Sequence, residues 1–284
     1  ILISLGVGLH ALMIMVMAII MPTVVADIGG VAYFTWASML YTIGGIIGTV
    51  AVAPVWSALG SRMGYTLSGC LFLLGTLGSA MALDMGWLIV ARGVQGVGGG
   101  LLLGGGMALI SAFYDAGLRT RILAVYQGVW MVAQLLGPVH GGTFAELEWW
   151  RGAFWAVMPF TVVFIGLAWF TLPKRLGGDG GGGGRFPLLR LGLLASGVLA
   201  IASVGLIAGP GGRLGLIIAA PALVWLTFHL DGRAPRRIFP TDTVSPRKPV
   251  GVALWIIFLI GVSQNSVLLF LPLLLLVVHG VTPL

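Results

Sequence analysis

Nine stretches of this chain run for most of a bilayer's width with almost no charge, and no other property limits its fold so tightly. Set off by charged or Gly/Pro-rich breaks, they cover 5–26, 33–56, 65–83, 87–113, 121–145, 153–172, 191–209, 214–230 and 250–278. A spanning helix needs about 20 predominantly apolar residues, so each run is a transmembrane candidate. Inside lipid only helices and closed barrels satisfy every backbone group, and these runs lack the alternation of barrel strands. The expected fold is therefore all-α, a polytopic helical membrane protein. Short connections favour antiparallel neighbours and leave no room for a soluble domain. Only 8% of residues are charged, against about 25% in a soluble domain.

Orientation follows from the cations. Counting connections from the N-terminus, twelve of the fifteen Lys and Arg fall in or beside the even-numbered ones, and two, Arg151 and Arg213, in the odd-numbered ones. The bias of positive charge toward the cytoplasm places the N-terminus inside and implies a multi-pass protein of the plasma (inner) membrane. The net charge of +7 reflects this asymmetry, and with no accessible basic face a nucleic-acid partner is not expected. The single cysteine, Cys70, says nothing about redox compartment.

The remaining cation, Arg92, lies inside the fourth run. An ionisable group at the centre of a spanning helix costs about 2.5–3.5 kcal/mol on insertion scales, so it normally faces a cavity or a partner. Arg92 then either lines a transport or proton pathway or snorkels to the outer surface. Gln95 lies one turn further on, on the same face. Asp27, at the end of the first run, is a candidate counter-charge for Arg92, or a turn or cap residue. His10 titrates in the range where a coupled proton is exchanged, and His140 is weighed the same way, each against a plain packing role. Gln264 and Asn265 sit mid-membrane in the ninth run, as cavity lining or as helix-to-helix hydrogen-bond partners. Trp87, Trp149, Trp150 and Trp155 are expected at the interfaces. Asp84, Glu146 and Glu148 read as solvated outer-loop charges.

Small residues pattern two helices. Ala133, Gly137 and Gly141 recur four apart in the fifth, and Gly96, Gly100 and Gly104 in the fourth, a spacing that lets neighbouring backbones approach closely. Pro138 removes a backbone donor and is expected to bend its helix. No His/Cys/Asp/Glu set has metal-ligand spacing, and the glycine-rich stretches lack the Gly-Lys-Ser/Thr ending of a phosphate loop. Neither an enzyme nor a cofactor is expected.

Several motifs, in order, carry a resemblance. Met21-Pro22-Thr23-Val24-Val25-Ala26-Asp27 closes the first run, Arg92-Gly93-Val94-Gln95-Gly96 lies in the fourth, Gly137-Pro138-Val139-His140-Gly141-Gly142 in the fifth, Trp150-Arg151-Gly152-Ala153-Phe154 opens the sixth, and Leu271-Pro272 through His279-Gly280 marks the ninth. Together they resemble the major facilitator superfamily, and within it the fourteen-helix drug:proton antiporter branch. The resemblance implies a six-helix bundle plus about three further helices, and Gly137, Pro138, Gly141 and Gly142 as the antiporter motif. It divides the chain into an N-terminal bundle over 1–172, a cytoplasmic Gly-rich linker over 173–190, two extra helices over 191–230, a basic cytoplasmic loop over 231–249, and over 250–284 the first helix of an incomplete second bundle. The chain is thus expected to be a fragment.

Departures accompany it. Where the family's loop after the second helix has Gly-x-x-x-Asp-Arg-x-Gly-Arg-Lys, this chain has Ser57 to Thr66, retaining Arg62 and Gly64, and Met13 stands where many members carry an acid. The resemblance implies a secondary active exporter of amphipathic or drug-like small molecules, coupled to protons and working by alternating access, in contact with the lipid bilayer and monomeric when full length. A transporter of one specific metabolite and a non-transporting membrane protein that binds a partner chain stay open beside it.

Overall fold

The computed structural model describes residues 1–175, 187–207, 209–235, 237–239, 242–243, 245–261 and 263. The described residues form helices and no strand. They are α1 (Leu2–Ile28), a 3-10 turn (Val31–Tyr33), α2 (Trp36–Leu59), α3 (Ser61–Ala80), α4 (Met85–Phe113), α5 (Ala116–Glu146), α6 (Trp150–Trp155), α7 (Met158–Thr171), α8 (Leu188–Ser203), a second 3-10 turn (Val204–Leu206), α9 (Pro210–Gly232) and α10 (Pro249–Gly261). Contacts divide the chain into two compact units, Ile1–Trp225 and Leu226–Leu284.

Seven helical segments among the described residues are long and apolar enough to cross a membrane: Leu2–Ile28, Val31–Leu59, Ser61–Ala80, Met85–Phe113, Ala116–Glu146, Trp150–Thr171 and Pro210–Gly232. Nine were expected. The sixth span is two helices in series, because Pro159 at the start of α7 has no N–H to continue α6. The seventh run folds as α8, 16 residues, continued without a break by the 3-10 turn Val204–Leu206. Of the ninth, only Pro249–Gly261 and Ser263 lie within the described residues. Gln264 and Asn265, with most of the Gly-rich linker, lie outside them.

Helix starts and stops follow local chemistry. Asp84 caps α4 by accepting from Trp87 N at 2.8 Å, so it is a capping residue as well as a surface charge. Asp115 caps α5 through Leu118 N at 2.9 Å. Only Gly60, at φ +81°, separates α2 from α3. Arg62 and Gly64 therefore sit in the first turn of a helix, not in a loop. Arg62 Nε donates to Leu172 O, a carbonyl left free at the end of α7, at 2.6 Å. Gly64 lies against the Trp56 indole, where a Cβ would come within 2.4 Å.

In the first unit α4 is central, flanked by α2, α3 and α1, while α5 packs along α1 and α7 along α3. The core is continuous from α1 (Met13, Met17, Ile20) through Tyr65 and Phe72 of α3 and Leu102 of α4 to Phe154 and Phe164. In the second unit Asp231, 2% exposed, accepts from Ile238 N at 2.8 Å and Phe239 N at 3.0 Å, folding the chain after α9 back on itself.

Candidate functional site

Glycine decides where the polar side chains of the first unit end up. On one flank of α4, a Cβ at Gly96 would stand 2.1 Å from Tyr41 O, one at Gly100 2.0 Å from Gly45 O, and from α2 one at Gly48 2.1 Å from Val97 O. On the other, a Cβ at Gly98 would stand 2.3 Å from Phe72 N and one at Gly75 2.3 Å from Gln95 N. Real Cβ atoms do not approach so closely, so α2 and α3 lie backbone to backbone against α4. That approach delivers Tyr41 from α2 and Thr76 from α3 to the level of Arg92 and Gln95.

Arg92 is 1% exposed and Gln95 fully buried, so the guanidinium does not snorkel. Its Nη1 donates to Gln95 Oε1 and its Nη2 to Met13 O at 3.3 Å, and its Cζ lies 4.0 Å from the centroid of the Tyr41 ring, a cation–π seat. Gln95 Nε2 donates to Thr76 Oγ1 at 2.8 Å, and that hydroxyl donates to Phe72 O at 2.7 Å. Arg92 Nε is buried with no hydrogen-bond partner. Among the described residues no carboxylate reaches ion-pair distance of Arg92. A buried cation held only by neutral oxygens and a ring face is a costly arrangement that packing alone does not require.

His10 joins the same cluster from α1. Its ring stacks on Tyr41 with centroids 5.3 Å apart, Tyr41 Oη lies 2.8 Å from its Nδ1 and 3.3 Å from its carbonyl oxygen, and Trp130 of α5 closes the other side with centroids 5.7 Å apart. Gly99 leaves the space that the imidazole fills, since a Cβ there would lie 2.2 Å from Nδ1. Thus His10, Arg92 and Gln95 come together, with Tyr41, Thr76 and Trp130 added. Nothing in the chain order marks Tyr41 or Thr76. The usable signal is a hydroxyl within an apolar run, which has to bond something.

Asp27 does not join them. It pairs with Arg151 Nη1 at 2.5 Å and accepts from Trp150 Nε1 at 3.1 Å, while Arg151 Nη2 reaches Ala82 O at 2.7 Å. As counter-charge to Arg92 it is corrected: the end of α1 meets the start of α6, not the interior of α4. Trp150 is corrected likewise. At 1% exposure it is a core residue, whereas Trp87, Trp149 and Trp155 are exposed.

The Gly137-to-Gly142 segment lies along α1. A Cβ at Gly137 would stand 2.3 Å from Met15 Cβ and one at Gly141 3.1 Å from Ile19 Cβ, whereas Gly142 has nothing within 4 Å. α5 continues unbroken past Pro138. His140 Nε2 donates to Ala153 O at 3.0 Å. Beside this seam an apolar cavity of about 610 Å³ is lined by Leu9 and Leu12 of α1, Ala133, Leu136 and His140 of α5, and Phe160 of α7.

Known proteins are similar to this chain in sequence and in fold. The family model for the Major Facilitator Superfamily matches residues 3–284. A "probable multidrug-efflux transporter" of Mycobacterium tuberculosis is 33% identical over 244 residues, covering 83% of this chain and 51% of its own length. The efflux pump dotC of Dothistroma septosporum is 31% identical over 176 residues, 61% of this chain and 30% of that protein. The chain thus spans about half the length, or less, of these relatives. Among solved structures, the proton:xylose symporter XylE bound to 6-bromo-6-deoxy-D-glucose superposes with a TM-score of 0.62 at 16% identity, over 98% of this chain and 62% of that one, a likeness of fold. Spanning helices, a glycine-seamed bundle and a family match along nearly its whole length place this integral membrane protein in the major facilitator superfamily.

Proposed function

We propose that this chain is part of a secondary active transporter, not an enzyme, that exports amphipathic or drug-like small molecules in exchange for protons by alternating access. The observation that carries the reading is Arg92, a cation buried inside a membrane bundle with a partnerless Nε and only neutral acceptors. Membrane proteins keep such a charge where ions or substrates pass. The efflux names of the relatives favour export of drug-like compounds over import of one metabolite.

In this reading Arg92 and Gln95, with His10 beside them, form the coupling region. Residues 1–172 act as one bundle, 173–190 as a cytoplasmic linker, 191–230 as extra helices, 231–249 as a basic cytoplasmic loop, and 250–284 as the start of a second bundle. Gln264 and Asn265 are further candidates for the transport pathway. The protein sits in the plasma membrane with its N-terminus in the cytoplasm, supported by the cation asymmetry, and works as a monomer.

The test is ethidium transport by the full-length protein in proteoliposomes under an imposed pH gradient. Gradient-driven ethidium movement is expected in the native protein and is expected to be lost in Arg92→Ala at equal membrane yield. Native-level transport by that variant overturns the role given to Arg92. A panel adding sugars and amino acids separates a drug exporter from a carrier of one metabolite.

A further inference from the structure

One side chain touches both the imidazole of His10 and the guanidinium of Arg92, and nothing in the sequence marks it. Tyr41, 2% exposed, offers its hydroxyl to the first and its ring face to the second. We propose that Tyr41 is a positioning residue that couples a proton-binding site at Nδ1 of His10 to the seat of the Arg92 guanidinium, so that a proton on the one displaces the other. This rests on the proton-coupled efflux reading and names the groups that perform the coupling.

The heavy atoms already suit two proton arrangements. Tyr41 Oη is 2.8 Å from His10 Nδ1 and 3.3 Å from His10 O. When Nδ1 is bare, the hydroxyl donates to it. When Nδ1 holds a proton, the ring N–H donates to Oη and the hydroxyl turns to donate to the carbonyl. The change is one O–H rotation, and each state leaves the hydroxyl with an acceptor. The balance is simple: one proton is taken from water onto the Nδ1 lone pair on one side of the membrane, and the same proton returns to water on the other.

Charge then does the coupling. The groups facing His10 that titrate or carry charge are Tyr41 from α2 and Arg92 from α4, while α5 presents Trp130. A proton on His10 puts a second cation against the ring that already seats Arg92. Among the described residues no carboxylate is at hand to offset it, and like charges in a poorly screened interior repel strongly. Arg92 is the movable member. It hangs on a long side chain by Gln95 Oε1 and the 3.3 Å contact to Met13 O, with its Nε unbonded, whereas His10 is wedged between Tyr41, Trp130 and Gly99. A released guanidinium then changes the polarity of the pathway in step with protonation.

The experiment uses full-length protein in proteoliposomes with ethidium as probe and two readouts, accumulation driven by a pH gradient and exchange without one. His10→Gln and Tyr41→Phe are each expected to lower gradient-driven accumulation by about tenfold or more while leaving exchange within about twofold. Tyr41→Phe keeps the ring beneath Arg92 and removes only the hydroxyl, so retained exchange reports an intact fold. Native-level accumulation in both variants overturns the proposal and leaves the efflux reading standing. No accumulation in the native protein overturns the efflux reading and this one with it. A second measurement is independent of transport: the ¹⁵N-histidine signal of the native protein that is lost in His10→Gln is that of His10. Gain of a proton at Nδ1 on acidification is expected, and an Nδ1 signal that stays unchanged down to the pH at which the protein unfolds overturns the proposal.

Discussion

Asp27 and Arg151 stand 124 residues apart in sequence and 2.5 Å apart in space, joining the last turn of α1 to the first turn of α6. Arg151 also lies over the Trp150 ring, 4.2 Å from its centroid, and reaches Ala82 O between α3 and α4. One cation thus ties three chain segments at one end of the bundle.

That clasp predicts a modest, structural phenotype. The Asp27 side chain is 49% exposed, so its pairing energy is screened, and loss of the pair is expected to lower the melting temperature by about 2–4 °C in detergent. Asp27→Asn should do this while leaving ethidium transport at the native level, and Arg151→Met combined with it should cost no more than Arg151→Met alone. Loss of transport at a native melting temperature would instead return Asp27 to the coupling region.

The glycines divide into two kinds that one assay separates. Gly96→Ala places a Cβ 2.1 Å from Tyr41 O, and Gly137→Ala one 2.3 Å from Met15 Cβ. Each is expected to destabilise by about 2–3 kcal/mol. Gly142→Ala, with nothing within 4 Å, should fall within about 0.5 kcal/mol of native. Urea unfolding in mixed micelles measures all three, and equal effects at Gly96 and Gly142 would refute the close approach of α2 and α4.

Gln95 is expected to show opposed effects of charge and shape. Gln95→Leu removes the acceptor of Arg92 Nη1 and the donor to Thr76, which should cost about 1–3 kcal/mol. Gln95→Glu sets a carboxylate beside the guanidinium and fixes it there, so melting temperature should rise or hold while gradient-driven ethidium transport falls. A glutamate variant that transports normally would contradict a movable Arg92.

At the opposite end of the bundle Arg62 holds the end of α7 through Leu172 O. Arg62→Met should destabilise by about 1 kcal/mol through the lost bond to an end carbonyl, read as a lower denaturation midpoint. Arg62→Lys should recover less than half of it, since a lysine has no N–H at the position of Nε.

Much of this was legible in the residue order, and the failures have reasons. Long apolar runs identify spanning helices because length and hydropathy are local properties, and the glycines of α4 read correctly as close-contact sites. The membership of the site was only half visible. Arg92 and Gln95 stand one turn apart and announce each other, whereas Tyr41, Thr76 and His10 reach them from three other helices through packing that no single stretch encodes. Of the two readings of Asp27, the counter-charge to Arg92 fails because its partner is Arg151, and which helix start lies beside the end of α1 is not encoded in either stretch.

The seam between α2 and α4 also has a genetic consequence. Every missense change at a glycine codon adds at least a Cβ, and at Gly48, Gly96 and Gly100 the first added carbon already meets backbone at 2.0–2.1 Å. Mutation therefore has no small step available there, and variation in this bundle is steered toward exposed residues, such as Val132, Leu135 and Val139 of α5, which are 57–75% exposed.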